Sequence, residues 1–339
     1  MIRWGILGCG DVTERKSGPA FSDIEDSTLV AVMRRDAAKA QDYARRHKVP
    51  LWFDNAQQLV ECSEVDAVYV AAPPGAHEEL AMLALAAGKP CYIEKPMARS
   101  FAECQRLNAA FAAAQVPLFV AFYRRGLLRF VEAKHIVESG ALGQISTVHL
   151  EHSTPSHRNF QLGDLPWRVQ PEHAGAGLFL DLAAHALDIL DFLFGELTHV
   201  RGDALNIADV TDVEDVVSLS FRAGGAAGVG LWNFASHSSR DELRIAGTEG
   251  ELKLSIFGDE PLLLQTASGS EEISRPNPAT IQQPLIQSIV DELHGRGACP
   301  STGLSAARTS RVMDAALNRY YGGRDDDFWQ RTESWPRND

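Results

Sequence analysis

The stretch that decides the fold is RWGILGCGDVT, residues 3–13. Its apolar first half predicts a β-strand, which ends in a G-x-G-x-x-T run that opens a helix. In dinucleotide-binding folds the first glycine makes a tight turn, and the second lets the backbone approach a pyrophosphate at the helix N-terminus. Thr13 departs from the Gly or Ala usual at the third position. We therefore expect five residues to contact a dinucleotide: Gly8, Cys9, Gly10, Asp11 and Val12.

The first part of the chain alternates short β-branched runs with longer amphipathic stretches. The pattern predicts strands at 3–7, 28–33, 67–71, 91–94 and 118–121, and helices at 37–47, 76–87 and 101–114. Strands that alternate with helices of this length indicate βαβ units. We therefore expect residues 1–121 to form an α/β Rossmann domain, with a parallel, doubly wound sheet between helices.

The pattern changes beyond residue 125. Helices are predicted at 129–139, 178–194, 285–293 and 305–321, and strands at 145–153, 198–204, 213–221, 225–234, 240–246 and 251–257. Closely spaced strands with short turns are usually antiparallel. Residues 122–339 are therefore predicted to form an α+β domain with a large, mostly antiparallel sheet, joined to the first domain near residues 121–125.

Composition excludes several classes of protein. The 339 residues carry a formal net charge of −13 and no basic block, which argues against binding to nucleic acid or to anionic lipid. No apolar run approaches the ~20 residues that cross a bilayer, and the first strand is too short for a signal-peptide core. The five cysteines are scattered without a C-x-x-C pair, as in reduced proteins. We therefore expect a cytoplasmic protein. We also expect no metal site, since His149 and His152 of an H-x-x-H run would face opposite sides of a strand.

The end of the second strand bears on the choice of cofactor. An NAD site places an Asp or Glu there, to bind the ribose. This chain has Arg34 and Arg35 instead, and a guanidinium fits a 2′-phosphate that a carboxylate would repel. Asp36 follows, and it either caps the next helix or, with a small shift of the strand end, binds the ribose. We expect NADP(H) to be preferred, with NAD(H) as the alternative.

Four further stretches carry a family resemblance. They are AAPPGAHEE at 71–79, AGKPCYIEKPMA at 87–98, WR at 167–168 and GAGLFLDLAAHALD at 175–188. Together they resemble the Gfo/Idh/MocA family of NAD(P)-dependent oxidoreductases, named for glucose–fructose oxidoreductase and inositol dehydrogenase. The E-K-P triplet paired with a downstream D-x-x-x-H is the most specific part, and the resemblance covers the chain up to about Gly322.

The resemblance implies that Lys95 is the catalytic lysine. It is one of seven lysines, and it stands at the carboxyl end of a predicted parallel strand, where ligands bind in open α/β sheets. Glu94 precedes it, both residues are expected to contact the cofactor as well, and Pro96 stiffens the turn. An ammonium in this place can bind a substrate oxygen and move its proton. The alternative is a surface ion pair.

Asp181 and His185 are four residues apart on one predicted helix, so their side chains are expected to project from the same face of that helix. The resemblance implies that they bind and orient a substrate hydroxyl, with His185 assisting proton transfer. Asp188, one turn further on, could instead hold His185 structurally. The family often has D-x-G-x-H here, and the methyl group of Ala183 would crowd the substrate side.

Other residues are expected near the cofactor or the substrate. Ala72, Pro73, Pro74 and His77 resemble the loop over the cofactor, although His77 could simply start a helix. Trp167 and Arg168 resemble a pair in which the Arg reaches the cofactor and the Trp covers the pocket. Tyr123 is placed to face the substrate cleft, and further pocket side chains are expected from the loops at 154–170 and 276–283.

These residues predict an NADP-dependent oxidoreductase that interconverts a secondary alcohol and a carbonyl on a sugar, polyol or related small molecule. Two alternatives stay open: a dinucleotide-dependent glycosidase of the same fold, and a regulator that senses NADP without turnover. The resemblance also implies a homodimer or homotetramer formed through the sheet of the second domain.

Overall fold

The computed structural model describes residues 1–156, 160, 164–325 and 327–338. Its first sheet is parallel, with strand order β3-β2-β1-β4-β5-β6. The strands are β1 (Ile2–Leu7), β2 (Ser27–Met33), β3 (Leu51–Phe53), β4 (Ala67–Val70), β5 (Cys91–Ile93) and β6 (Leu118–Val120). The order reverses between β1 and β4, which is where ligands bind in doubly wound sheets. The predicted Rossmann fold is confirmed, although the three-residue β3 was not predicted.

The helices that accompany this sheet are α1 (Asp11–Arg15), α2 (Ala20–Asp23), α3 (Ala37–His47), α4 (Ala56–Glu61), α5 (His77–Ala86) and α6 (Phe101–Ala114). The amphipathic pattern predicted α3, α5 and α6, and α1 follows the glycine run as expected, whereas the short α2 and α4 were not predicted. At the start of α3, the carboxylate of Asp36 accepts the N–H of Lys39, which lowers the pKa of Asp36. The basic last turn of α3 favours its C-terminal end, and Lys48 ends the helix in the left-handed region.

The second sheet follows the order β14-β13-β12-β11-β7-β10-β9-β8. Its strands are β7 (Ile145–Ser153), β8 (Thr198–Leu205), β9 (Val216–Ala223), β10 (Ala226–Asn233), β11 (Arg240–Gly247), β12 (Gly250–Leu254), β13 (Leu262–Thr266) and β14 (Gly269–Ile273). All neighbouring pairs are antiparallel except β7 with β10, so the mostly antiparallel sheet is confirmed. β13 and β14 were not predicted.

One face of this sheet carries exposed side chains. Along β9 every second residue is buried, while the intervening Ser218, Ser220 and Arg222 are exposed. On the neighbouring strand β10, the exposed positions include Val229 and Leu231. This alternation is typical of an antiparallel sheet that covers a core on one side only.

The remaining helices are α7 (Leu128–Glu138), α8 (Pro171–Ala174), α9 (Ala184–Phe194), α10 (Gln283–Leu293) and α11 (Gly303–Leu317). A π-helical turn, Phe179–Ala183, directly precedes α9. In the described part of the chain, no helix combines the length and the apolar character needed to cross a membrane.

The chain divides into two compact units, and the boundary differs from a single division near residue 121. The first unit comprises residues 1–98, 102–127 and 278–307, and the second comprises 99–101, 128–277 and 308–339. Residues 278–307 join the first unit because the apolar face of α10 is buried in its core. Leu285, Ile286 and Ile289 lie in one cluster with Trp4 and Phe21.

Replacing Ile289, which is completely buried, by Ala should lower the free energy of unfolding by about 2–5 kcal/mol, because it leaves a cavity under α10. The matched control is Ile207→Ala, since Ile207 is 62% exposed and its change should stay within about 0.5 kcal/mol. Urea unfolding followed by tryptophan fluorescence measures both. Equal losses in the two variants would show that α10 is not part of this core.

Candidate active site

The turn after β1 has a backbone conformation that requires glycine at position 8. Gly8 has φ +90°, and a Cβ there would lie 2.9 Å from the backbone nitrogen of Ala72, so only glycine fits. A Cβ on Gly10 would meet no atom closer than 3.8 Å. The backbone at Gly10 therefore borders open space. The N–H groups of Asp11 and Val12, the first two of α1, have no acceptor within the helix.

Thr13 occupies its unusual position through hydrogen bonds to Gly10. Its hydroxyl donates to the Gly10 carbonyl (2.8 Å), and its oxygen accepts the Gly10 N–H (3.0 Å). The side chain is completely buried. Thr13 thus closes the turn by a polar contact where most dinucleotide folds use a small apolar residue. The open backbone at Gly10 and the free helix N–H groups fit a dinucleotide pyrophosphate.

The end of β2 brings Arg34 beside this turn. One guanidinium nitrogen lies 3.4 Å from the carbonyl oxygen of Cys9, and the side chain is half-buried, whereas Arg35 is exposed. Asp36 uses its carboxylate to cap α3 and is 3.4 Å from the ammonium of Lys39. The acidic group is therefore engaged as a helix cap, and a guanidinium stands next to the glycine turn.

His77 is buried at the start of α5 and faces backbone carbonyls on both sides. Its Nε2 lies 2.7 Å from the Ala72 oxygen, and its Nδ1 lies 3.1 Å from the Pro96 oxygen. Burial lowers the pKa of His77, although these carbonyls oppose the shift. The ring ties the loop after β4 to the turn after β5. In that loop Pro73 is exposed and Pro74 is buried.

The E-K-P triplet follows the carboxyl end of β5, as predicted. The buried Glu94 accepts hydrogen bonds from the Tyr69 hydroxyl (2.5 Å) and the Gln282 amide (2.7 Å) on one oxygen. Its other oxygen accepts the N–H of Lys95 (3.0 Å). Lys95 is half-buried, and a cis peptide bond joins it to Pro96. Tyr123 lies in the same unit, where its hydroxyl accepts a hydrogen bond from Arg124 (3.0 Å).

In the second unit, Asp181 and His185 do not lie on one regular α-helix. Asp181 belongs to the π-helical turn, whereas His185 lies in the first turn of α9. Ala183, between them, is completely buried. Single π-helical turns occur frequently at functional sites.

Arg168 contacts Asp181, a pairing that the sequence did not suggest. Its guanidinium Nε lies 3.3 Å from a carboxylate oxygen of Asp181, and the group stacks 4.5 Å from the centre of the Trp167 ring. The Arg168 side chain is half exposed. The pair can orient the Asp181 carboxylate toward a polar ligand. Part of the neighbouring predicted pocket loop, 157–159 and 161–163, lies outside the described residues.

His185 is buried beside an aromatic residue missing from the predictions. Its ring lies edge-on to Phe257, 5.9 Å between centres, and His152 lies 4.8 Å from the same ring. The loop that presents Phe257 is held by Asp241, which accepts the N–H groups of residues 256–258. The buried Arg129 donates to backbone carbonyls of the same loop. No motif or spacing in the sequence connects these residues.

A buried carboxylate fixes the backbone that leads into the π-helical turn. Both oxygens of Glu214 lie 3.1 Å from the N–H of Gly177, and the Tyr321 hydroxyl donates to one of them. Arg324 donates to the Gly175 carbonyl (2.9 Å) and pairs with Asp314 (2.7 Å). Burial raises the pKa of Glu214 to about 7. Glu214, Tyr321 and Arg324 thus hold the segment before Asp181.

Within the described ranges, no group of three or more His, Cys, Asp or Glu side chains is arranged to hold a metal ion. In β7, His152 is buried with Val148 and Leu150, while His149 alternates with them and is half-exposed.

Comparison with known proteins agrees with the fold. Residues 2–122 match a family model described as an oxidoreductase family with an NAD-binding Rossmann fold, and residues 130–253 match the GFO/IDH/MocA C-terminal domain. An oxidoreductase of Formosa agariphila is 34% identical over 314 residues, 92% of this chain and 97% of that protein. The scyllo-inositol 2-dehydrogenase (NADP(+)) of Bacillus subtilis is 28% identical over 281 residues, 82% of this chain and 84% of that protein.

Among solved structures, levoglucosan dehydrogenase in complex with NADH superposes with a TM-score of 0.84 at 21% identity, covering 93% of this chain and 96% of that one. This likeness concerns the fold alone. The Rossmann sheet and the two matched domains define the class of protein, an oxidoreductase with a dinucleotide-binding domain. More particularly, the chain belongs to the Gfo/Idh/MocA oxidoreductase family.

The raised pKa of Glu214 predicts a pH-dependent stability. Because the folded chain holds this proton up to about pH 7, the stabilisation is complete below the ordinary value of 4.5 and is lost as the pH rises through about 7. Between about pH 6 and about pH 8.5, Glu214→Gln should gain roughly 1 kcal/mol relative to wild type. Thermal unfolding at several pH values measures this gain. The control Glu249→Gln, at an exposed position, should show no such change, and a parallel pH response in both variants would contradict the assignment.

Proposed function

We propose that the chain is an NADP-preferring enzyme that interconverts a secondary alcohol and a carbonyl on a sugar, polyol or related small molecule. The observation that carries the proposal is Lys95, placed after β5 at the ligand-binding edge of the Rossmann sheet by the hydrogen-bonded Glu94. The dehydrogenase of scyllo-inositol among its relatives supports the substrate class.

Each residue has a distinct part in this proposal. A bound nicotinamide supplies the hydride acceptor or donor. Lys95 donates a proton to the substrate oxygen or accepts one from it, assisted by His185. Asp181 binds and orients a substrate hydroxyl, and its ion pair with Arg168 keeps the carboxylate turned to one side. Association of copies through the exposed face of the second sheet stays a prediction.

The preference for NADP rests on Arg34 beside the glycine turn and on Asp36 being engaged as a helix cap. Replacing Arg34 and Arg35 together by Ala should weaken NADPH binding about tenfold or more, because a charge-assisted phosphate contact is lost. NADH binding should change little. Fluorescence titration measures both affinities. The control is Arg45→Ala, at the far end of α3, where an exposed arginine pairs with Asp42. Equal effects on NADPH and NADH would refute the preference.

The activity is tested by following NADP⁺ and NADPH absorbance with a panel that contains scyllo-inositol, levoglucosan, D-glucose and dicarbonyl compounds. Lys95→Ala should lower kcat about 10²- to 10⁴-fold on the best compound, because proton transfer is lost. Lys89→Ala is the matched control, since that ammonium binds the Cys62 carbonyl (2.7 Å) elsewhere in the same unit. Wild-type kcat in Lys95→Ala would overturn the proposal.

The same panel separates the two alternatives. Hydrolysis of a glycoside without net change in NADPH absorbance would favour the glycosidase. Tight NADPH binding without turnover of any compound would favour the regulator, and a Lys95→Ala protein with unaltered biological effect would support it further.

A further inference from the structure

A buried polar cluster lies behind the Glu94–Lys95 turn, in the first unit. It consists of Ser17, Tyr69, Tyr92, Glu94 and Gln282, and all five side chains are nine-tenths or more buried. Burial raises the pKa of Tyr69 and of Tyr92 well above the usual value, so both hydroxyls keep their protons and remain donors. Within the cluster, Tyr69 and Gln282 donate to the Glu94 carboxylate, and Tyr92 donates to Gln282.

Gln282 is the member with the most defined geometry. Its amide nitrogen donates to Glu94 (2.7 Å), and its amide oxygen accepts the hydroxyl proton of Tyr92 (2.8 Å). The opposite orientation of the amide would set its oxygen against the carboxylate, so the chemistry admits one arrangement. Its backbone N–H also donates to the carbonyl of Lys16 (3.3 Å). Gln282 is thus fixed at three points and is only 1% exposed.

Hydrogen bonds of the cluster connect the turn that carries Lys95 with Lys16 and Ser17, which follow the glycine turn in the sequence. Glu94 binds the N–H of Lys95 with one oxygen, and its other oxygen binds Tyr69, whose hydroxyl lies 3.2 Å from Ser17. Gln282 reaches the same region through Lys16. Rotation of the carboxylate would break the contact to the Lys95 backbone, and Gln282 opposes that rotation with a charge-assisted hydrogen bond.

We infer that Gln282 is a positioning residue for the reaction: it locks the Glu94 carboxylate, and the locked carboxylate sets the backbone from which the Lys95 side chain extends. This inference rests on the proposed role of Lys95. It assigns a function to the 276–283 stretch different from the expected lining of a substrate pocket, because Gln282 acts within the dinucleotide-binding unit.

The first test compares Gln282→Leu with Gln287→Leu, in NADP⁺ assays on the panel compound with the highest rate. Gln287 lies further along α10 in the same unit, and its half-buried amide oxygen accepts the N–H of Glu25 (3.2 Å). Gln282→Leu should lower kcat about tenfold to a hundredfold through misplacement of Lys95, with KM and NADPH affinity within about threefold of wild type. Gln287→Leu should keep the wild-type kcat.

The second test uses Gln282→Glu, which keeps the shape and still folds if the Leu variant does not. While the introduced carboxyl and that of Glu94 share one proton, the protonated group can donate to the ionised one as the amide does. As pH rises, both carboxyls ionise and repel each other. The kcat of Gln282→Glu should therefore approach wild type near about pH 5.5 and fall at least about tenfold below it near about pH 8.5. Gln287→Glu adds the same charge further along α10 and should keep the wild-type profile.

Three results distinguish failure of the positioning role from failure of the proposed function. Circular dichroism and thermal unfolding on every variant show whether it is folded. A kcat within about twofold of wild type in folded Gln282→Leu would overturn the inference, as would a wild-type pH profile in Gln282→Glu. Unchanged kcat in Lys95→Ala would overturn the proposed function itself. If Lys95→Ala is inactive while both Gln282 variants are unaffected, only the positioning role fails.

Discussion

A carboxylate removed from water must be surrounded by hydrogen-bond donors, and this constraint organises the first unit around Glu94. Two donors come from distant parts of the chain, Tyr69 on β4 and Gln282 just before α10, and the third is the N–H of Lys95. Residues 1–98 supply two of these three donors, and the third comes from Gln282. The segment at 278–307 therefore completes the Rossmann unit in two ways, by apolar burial of α10 and by one polar contact at the turn of the lysine.

The second unit also contains a buried carboxyl group, that of Glu214, with a different set of hydrogen-bond donors. They are the backbone N–H of Gly177 and the hydroxyl of Tyr321. Desolvation outweighs these contacts and the nearby charge of Arg324, so the pKa of Glu214 rises to about 7. Glu214 and Arg324 both hold the 175–177 segment, which enters the π-helical turn of Asp181. In each unit a buried carboxyl group thus fixes the backbone next to a residue predicted to meet the substrate.

The parts predicted from the sequence are those with a local physical signal. Helix α3 was predicted to the residue, because its amphipathic pattern begins after Asp36 and ends in a basic turn. The turn at Gly8 was predicted from the glycines that follow the first strand, and the φ of +90° at Gly8 explains why a glycine stands there. Strand β3 has only three residues and so gives no period. The sequences of β13 (LLLQT) and β14 (GSEEI) show no alternation of apolar and polar residues.

Contacts between distant residues left no such signal. Gln282 lies 188 positions from Glu94, and Tyr321 lies 107 from Glu214, so spacing alone could not pair them. The E-K-P triplet came from a family resemblance, which names the lysine but not what holds it. The π-helical turn also escaped prediction, because the run of apolar residues around Asp181 suits either kind of helix.

The substrate must be selected by side chains, since solved structures near 20% identity share this fold with TM-scores above 0.75. Two features of the second unit differ from a bare D-x-x-x-H helix: Asp181 is paired with Arg168, and His185 packs beside Phe257. A carboxylate that is paired with a guanidinium favours a neutral hydroxyl over a second anion. The aromatic ring beside the imidazole of His185 adds an apolar boundary. The proposed substrates, sugars and cyclic polyols, are neutral, polyhydroxylated rings with an apolar face, and both features are consistent with that proposal.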